Sequence, residues 1–162
     1  MYYGEHSASL DDKGRINIPV LFRQVMDVKN HEVWFMTRGY DGAVFMFDAA
    51  KWDSLLGELA EGATLDPRMM DFRRLLIGSG TKVKRDNQGR MVVPQHLREY
   101  AALGDEGVLL GVGDHIQLWS KEGWRQFQKC QMEEYKAMAA QLFGRSPAVA
   151  AQHEGGSGNA AH

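Results

Sequence analysis

A chain of 162 residues holds one medium domain or two small halves, and nothing larger. Its 44% hydrophobic and 25% charged residues suit a protein that buries a core, and no apolar run reaches the ~18 residues of a membrane span. The formal charge of −2, from 19 Lys and Arg against 21 Asp and Glu, excludes a uniformly basic surface. The start, Met1-Tyr2-Tyr3-Gly4-Glu5-His6, has neither a basic residue in its first positions nor an apolar h-region, so no signal peptide is expected. Cys130 is the single cysteine, which excludes an intramolecular disulfide and fits a reducing cytoplasm.

Self-similarity organises the rest. Leu10-Asp11-Asp12-Lys13-Gly14-Arg15-Ile16-Asn17-Ile18-Pro19 recurs 75 positions later as Arg85-Asp86-Asn87-Gln88-Gly89-Arg90-Met91-Val92-Val93-Pro94. In each copy the first half of the motif predicts a tight hairpin turn: Asp bonds the backbone ahead of it, and Gly supplies a positive φ. The strand after the first turn alternates, with Ile16 and Ile18 inward. Pro19 and Pro94 end these strands and open short helices. There Phe22, Val25 and Met26 match Leu97, Tyr100 and Ala101 at helical spacing, and Arg23 coincides with Arg98.

Further on, Val33-Trp34-Phe35 matches Val108-Leu109-Leu110, a buried strand in each half. After a slip of three residues, Phe47-Asp48-Ala49-Ala50-Lys51-Trp52 matches Trp119-Ser120-Lys121-Glu122-Gly123-Trp124. Asp48 and Ser120 are predicted N-caps, and the aromatic before each cap is spaced to staple onto the following tryptophan. Trp34, Trp52, Trp119 and Trp124 are therefore read as core and staple residues. Between the halves a helix is expected with Asp66 as N-cap, Pro67 as first residue, Met69, Phe72 and Leu76 on one face, and Gly78 as stop. The last helix runs from Lys121 to about Phe143. The Ala-, Gly- and Ser-rich tail beyond it lacks packing groups and is expected to be disordered.

The doubled Asp11-x-x-x-Arg15 and Asp86-x-x-x-Arg90 motif, each followed by an apolar strand and proline, resembles the hairpin of AbrB-type DNA-binding modules. Two copies in one chain, with Tyr3-Gly4-Glu5 ahead and Arg68 to Leu76 between, resemble the MraZ family over roughly residues 3 to 143. The resemblance implies an α+β fold in which two tandem swapped-hairpin half-modules interlock into one double-hairpin β-barrel with peripheral helices. Its division is 5–52 and 81–124 for the repeats, 53–80 for a connecting helical segment, 125–143 for the C-terminal helix and 144–162 for the tail. It further implies a homo-oligomeric ring, commonly of eight subunits. Its implied role is cytoplasmic and nucleoid-associated: repression of its own promoter and of a division and cell-wall gene cluster, through short direct repeats in double-stranded DNA.

DNA binding requires cations on a rigid element, and a two-stranded ribbon fits the major groove. Thr81 to Arg90 holds four cations against one anion, so the second hairpin is more basic than the first. Lys13, Arg15, Lys82, Lys84, Arg85 and Arg90 are the candidate DNA-contacting residues, and Asp11, Gly14, Asp86 and Gly89 the turn-forming ones. Arg15 has a structural alternative, an ion pair with Asp11, and the two roles are compatible. For Arg73 and Arg74, compensation of the helix dipole is a sufficient explanation.

Catalytic readings fail on spacing. Gly78-Ser79-Gly80-Thr81-Lys82 is similar to a phosphate loop, but its lysine follows the threonine, and Gly111-Val112-Gly113 lacks a third glycine. The six histidines have no metal-ligand spacing, and Cys130 has no histidine beside it. No enzyme, cofactor, metal or small-molecule substrate is expected. Two alternatives use the same fold: an antitoxin-like interaction module and a structural scaffold without DNA.

Overall fold

A computed structural model describes residues 1–61 and 66–144. The expected tail lies outside these residues from position 145 onward. The chain divides into two compact units, Met1–Trp124 and Arg125 onward.

The first unit follows the duplication. The first copy contributes β1 (Tyr2–Ser9), β2 (Arg15–Asn17), α1 (Val20–Val28), β3 (Val33–Arg38), β4 (Val44–Asp48) and α2 (Ala49–Glu61). After α3 (Pro67–Leu76), the second copy repeats the order as β5 (Thr81–Lys84), β6 (Arg90–Val92), α4 (Gln95–Tyr100), β7 (Glu106–Gly113), β8 (Ile116–Ser120) and the start of α5 (Lys121–Phe143). Six strands form one antiparallel sheet in the order β1-β7-β8-β4-β3-β5, and β2 pairs with β6 in a second. Exchanging equivalent strands of the two copies reverses the first order and leaves both sheets unchanged. The sequence repeat is therefore a pseudo-twofold axis in the fold.

The pairing departs from a simple hairpin. Strands flanking each turn were expected to pair with each other, yet β1 runs along β7, from Tyr2↔Gly113 to Ser9↔Glu106. Between β1 and β2 only the bridge Leu10↔Ile16 remains. Likewise β5 lies on β3, with Val33↔Lys84 and Phe35↔Lys82. The physical reason is burial. Ile16 and Met91 face each other across β2 and β6, and with Ile18 and Val93 they are at most 2% exposed. One apolar cluster joins them to Phe22, Met26, Trp34 and Leu109. Strands this short cannot bury their own inner face, so each half completes its core with the other's.

Several local expectations hold. Asp48 caps α2 by accepting from Lys51 N–H at 2.8 Å, and Ser120 caps α5 by accepting from Gly123 N–H at 2.9 Å. Both staples form, with ring centroids 6.2 Å apart for Phe47 and Trp52 and 5.5 Å for Trp119 and Trp124. Asp66 caps α3 with Pro67 as its first residue. Gly78 passes so close to Arg74 that a Cβ would lie 2.2 Å from its carbonyl oxygen.

Two helical faces differ from expectation. Leu97 of α4 and Ala101 at its C-cap are buried, but Tyr100 turns outward, its hydroxyl donating to the Gly39 carbonyl. A phenol gains more by keeping a polar partner than by full burial. In α3 only Leu76 is buried, while Phe72 stays exposed and Met69 half-exposed. The helix is held at its C-terminal end, where the buried Thr37 hydroxyl bonds the Leu76 carbonyl and Ser79 Oγ.

Of the second unit, α5 is described to Phe143. No α5 residue is buried, and Tyr135, Met138 and Leu142 are exposed along it. Among the described residues no helix is long and apolar enough to cross a membrane, and no cluster of His, Cys, Asp or Glu could hold a metal ion.

Candidate nucleic-acid interface

The two turns are built alike. Asp11 Oδ1 accepts from the backbone N–H of Lys13 at 3.0 Å and of Arg15 at 2.8 Å, and Oδ2 accepts from Arg15 Nε at 2.6 Å. Asp86 Oδ1 accepts from Gln88 and Arg90 N–H, both at 2.9 Å, and Oδ2 from Arg90 Nε at 2.8 Å. Gly14 and Gly89 close the turns with φ of +75° and +78°, a left-handed conformation that side chains resist. These bonds hold both aspartates below the usual carboxylate range; the backbone N–H of Arg15 or Arg90 contributes most.

The motif thus spends one carboxylate oxygen on the backbone and the other on Nε. Each arginine keeps four N–H donors, all on its terminal nitrogens. Aspartate fixes the guanidinium and lowers its conformational freedom.

Strand pairing brings the two arginines together. In the β2–β6 register Arg15 lies opposite Val92 and Asn17 opposite Arg90. Residues opposite each other in an antiparallel pair share a face, so Arg15, Asn17, Arg90 and Val92 line the side away from Ile16 and Met91. Arg15 and Arg90 are diagonal neighbours on it, about 7–8 Å apart by ordinary sheet geometry. Their side chains are 30% and 25% exposed, enough for contact with a ligand laid across the ribbon.

The turns also cross between halves. Ile18 N–H donates to the Gly89 carbonyl at 3.0 Å, and Val93 N–H to the Gly14 carbonyl at 2.8 Å. Each turn is fixed to the strand leaving the other.

The remaining candidates divide. Lys13 is exposed at the first turn. Lys82 and Lys84 are exposed on one side of β5, an edge strand of the larger sheet. Lysines on an edge also discourage unwanted pairing, so this placement has a structural reason as well. Arg85 is engaged by Asp27 of α1, its side chain 24% exposed. Lys84 and Arg85 border a hollow of about 480 Å³ beside the second turn, with Asp86, Asn87 and Gly89. Lys82 lies outside it. In α3, Arg74 pairs with Asp71, and Arg68 pairs with the capping Asp66.

Two residues without a role in the sequence reading stand beside the turns. Arg98 of α4 lies against Gly14, and Arg23 of α1 against Gly89. Their coincidence in the repeat was the signal; nothing in the sequence tells that each helix reaches the opposite turn.

The family described as "MraZ protein, putative antitoxin-like" matches residues 1–73 and 76–146. A "Transcriptional regulator MraZ" of Carboxydothermus hydrogenoformans is 32% identical over 142 residues, covering 88% of this chain and 96% of its own. Proteins of the same name from Dictyoglomus thermophilum and Lactiplantibacillus plantarum are each 34% identical, over 80% and 79% of this chain and 86% and 88% of theirs. With the family match spanning both copies of the repeat, the chain belongs to the MraZ family.

Proposed function

We propose that this chain is a sequence-specific DNA-binding transcriptional regulator whose reading head is the paired β2–β6 ribbon with its two turns. The observation that carries the reading is the diagonal placement of Arg15 and Arg90 on one face, each held by an aspartate and each with four donors free among the described residues. A two-stranded ribbon enters the major groove, and arginine reads guanine there through paired donors. Lys13, Lys82, Lys84 and Arg85 add phosphate contacts, while Asp11, Gly14, Asp86 and Gly89 set the turns. The crossed pairings of β1 with β7 and β5 with β3 support a double swapped-hairpin barrel, with repeats 5–52 and 81–124 and a connecting segment 53–80.

The finer role follows the family resemblance: a cytoplasmic, nucleoid-associated repressor of its own promoter and of a division and cell-wall cluster. It binds short direct repeats as a homo-oligomeric ring, of eight subunits in the usual family form. One near-neutral subunit with two turns binds a short site weakly, whereas several linked subunits on spaced sites gain about 10²–10⁴ in affinity. The test is fluorescence anisotropy with the DNA upstream of its own gene, carrying several repeats, one repeat or a scrambled sequence. Tight, salt-sensitive binding to the full fragment and a more than proportionate loss on one repeat are expected. Equal affinity for scrambled DNA would overturn sequence-specific recognition. A second reading, an interaction module, draws on the antitoxin-like wording of the family description; it predicts no specific binding in the same assay.

A further inference from the structure

We infer that Asn17 and Val92 set the base specificity of the β2–β6 ribbon: Asn17 recognises an adenine and Val92 the methyl group of a thymine, each beside a base met by an arginine. This rests on the DNA-binding reading above. Val92 follows Asn17 by 75 positions, as Arg90 follows Arg15, so the pseudo-twofold axis of the fold relates each pair. The arginines match under that axis. Asn17 and Val92 do not, and theirs is the one mismatch among the four residues of this face.

Both side chains are open to a ligand and uncommitted to the fold. Asn17 is exposed, and among the described residues its carboxamide has no hydrogen-bond partner. Val92 is 49% exposed, although Met91 and Val93 on either side of it are buried. Arg15 lies opposite Val92, and Arg90 opposite Asn17. The Cβ atoms of such opposite residues are about 4.5–5.5 Å apart, against about 3.4 Å between successive bases of a DNA strand. An arginine and its opposite neighbour therefore reach bases one or two steps apart.

A carboxamide holds a donor and an acceptor side by side, which matches the amino group and ring nitrogen of adenine in the major groove; an apolar side chain matches the thymine methyl. Other differences between the halves, Lys13 against Gln88 and Leu10 against Arg85, change charge and therefore affinity. Asn17 against Val92 changes no charge, so it bears on sequence rather than on counterion release. The two ends of the ribbon thus ask for different bases. A palindromic site, presenting the same base to both ends, suits only one of the two residues. The head is polar, and a polar head fits direct rather than inverted repeats.

The experiment titrates the full-length chain with promoter DNA that carries one modified base at a time. Deazaadenine replaces the ring-nitrogen acceptor of adenine with C–H, and deoxyuridine lacks only the thymine methyl. Wild type should lose about fivefold or more in affinity with deazaadenine at one position of a repeat, and about fourfold with deoxyuridine at another. N17A should be indifferent to the first modification and V92A to the second, each still sensitive to the other. Both should keep the wild-type salt slope, since neither loses a charge, and should unfold near the wild-type temperature, since Ile16 and Met91 beneath are unchanged. If V92A unfolds, V92S carries the same test. Wild-type binding unaffected by a modified base at every adenine or every thymine of the repeat would overturn the inference for that residue, and so would a variant as sensitive as wild type. If that happens while R15A/R90A loses binding, this inference alone fails. If wild type binds no promoter DNA, the DNA-binding reading itself fails.

Discussion

Replacing Arg15 and Arg90 with alanine separates a structural arginine from a DNA-reading one. In each turn the carboxylate keeps both backbone bonds through Oδ1, and only the Oδ2–Nε bond disappears. Because Asp11 and Asp86 are exposed at the surface, that pair contributes little to folding. The core beneath, Ile16 and Met91, is untouched. Thermal unfolding and size in solution should stay near wild type. Binding should not: each arginine brings four free donors, and removing a good bond to a base or phosphate costs about 1–3 kcal/mol, or about a 5- to 150-fold rise in Kd. The log–log salt slope should fall by about 0.9 for each phosphate that is no longer neutralised. Anisotropy titration at several salt concentrations, alongside calorimetry and sizing, checks all three. A double variant that keeps its melting temperature and binds the promoter like wild type would refute the site. A parallel fall in stability and binding would make the arginines structural.

Two glycines with positive φ give a matched pair: Gly42→Ala meets open space and costs only left-handed strain, roughly 1–2 kcal/mol, whereas Gly89→Ala adds a clash with Arg23. Both should lower the melting temperature, but only G89A, which lies in a turn of the proposed interface, should also weaken DNA binding; equal binding by the two would argue against that turn's part in the interface. Removing the cap with Asp48→Ala should cost about 0.5–2 kcal/mol in urea denaturation, since the Lys51 N–H at the head of α2 loses its partner. Unchanged stability would mean that the cap contributes nothing beyond the Phe47–Trp52 staple. Asp11 and Asp86 have folded-state pKa values below the ordinary 3.8. Their stabilisation is therefore complete above about 3.8 and lost as pH falls through the lower folded values. Carboxyl NMR titration should place both below 3.8, and in R15A the depression of Asp11 should largely persist, because the Arg15 backbone N–H is its largest cause. Ordinary values for both would show that the turns are open in solution.

The sequence alone determined what depends on short-range chemistry. The turns at Asp11–Gly14 and Asp86–Gly89, the helix starts after Pro19 and Pro94, the caps at Asp48, Asp66 and Ser120, and the two staples are each specified within a few residues. There, a side-chain oxygen, a missing N–H or a missing Cβ decides the backbone. The duplication itself was legible as a fixed offset. Which strand pairs with which was not, because β2 and β6 offer only three residues each and alternation fixes a face, not a partner. The choice fell to burial: Ile16 and Met91 can be covered only by interlocking the halves. That pairing sets Arg15 beside Arg90 and sends Arg23 and Arg98 to turns 66 and 84 residues away in the chain. Likewise the outward turn of Tyr100 and the uncovered Phe72 depended on what the rest of the chain placed around them. The local code wrote two similar turns, and the shared core made them one surface.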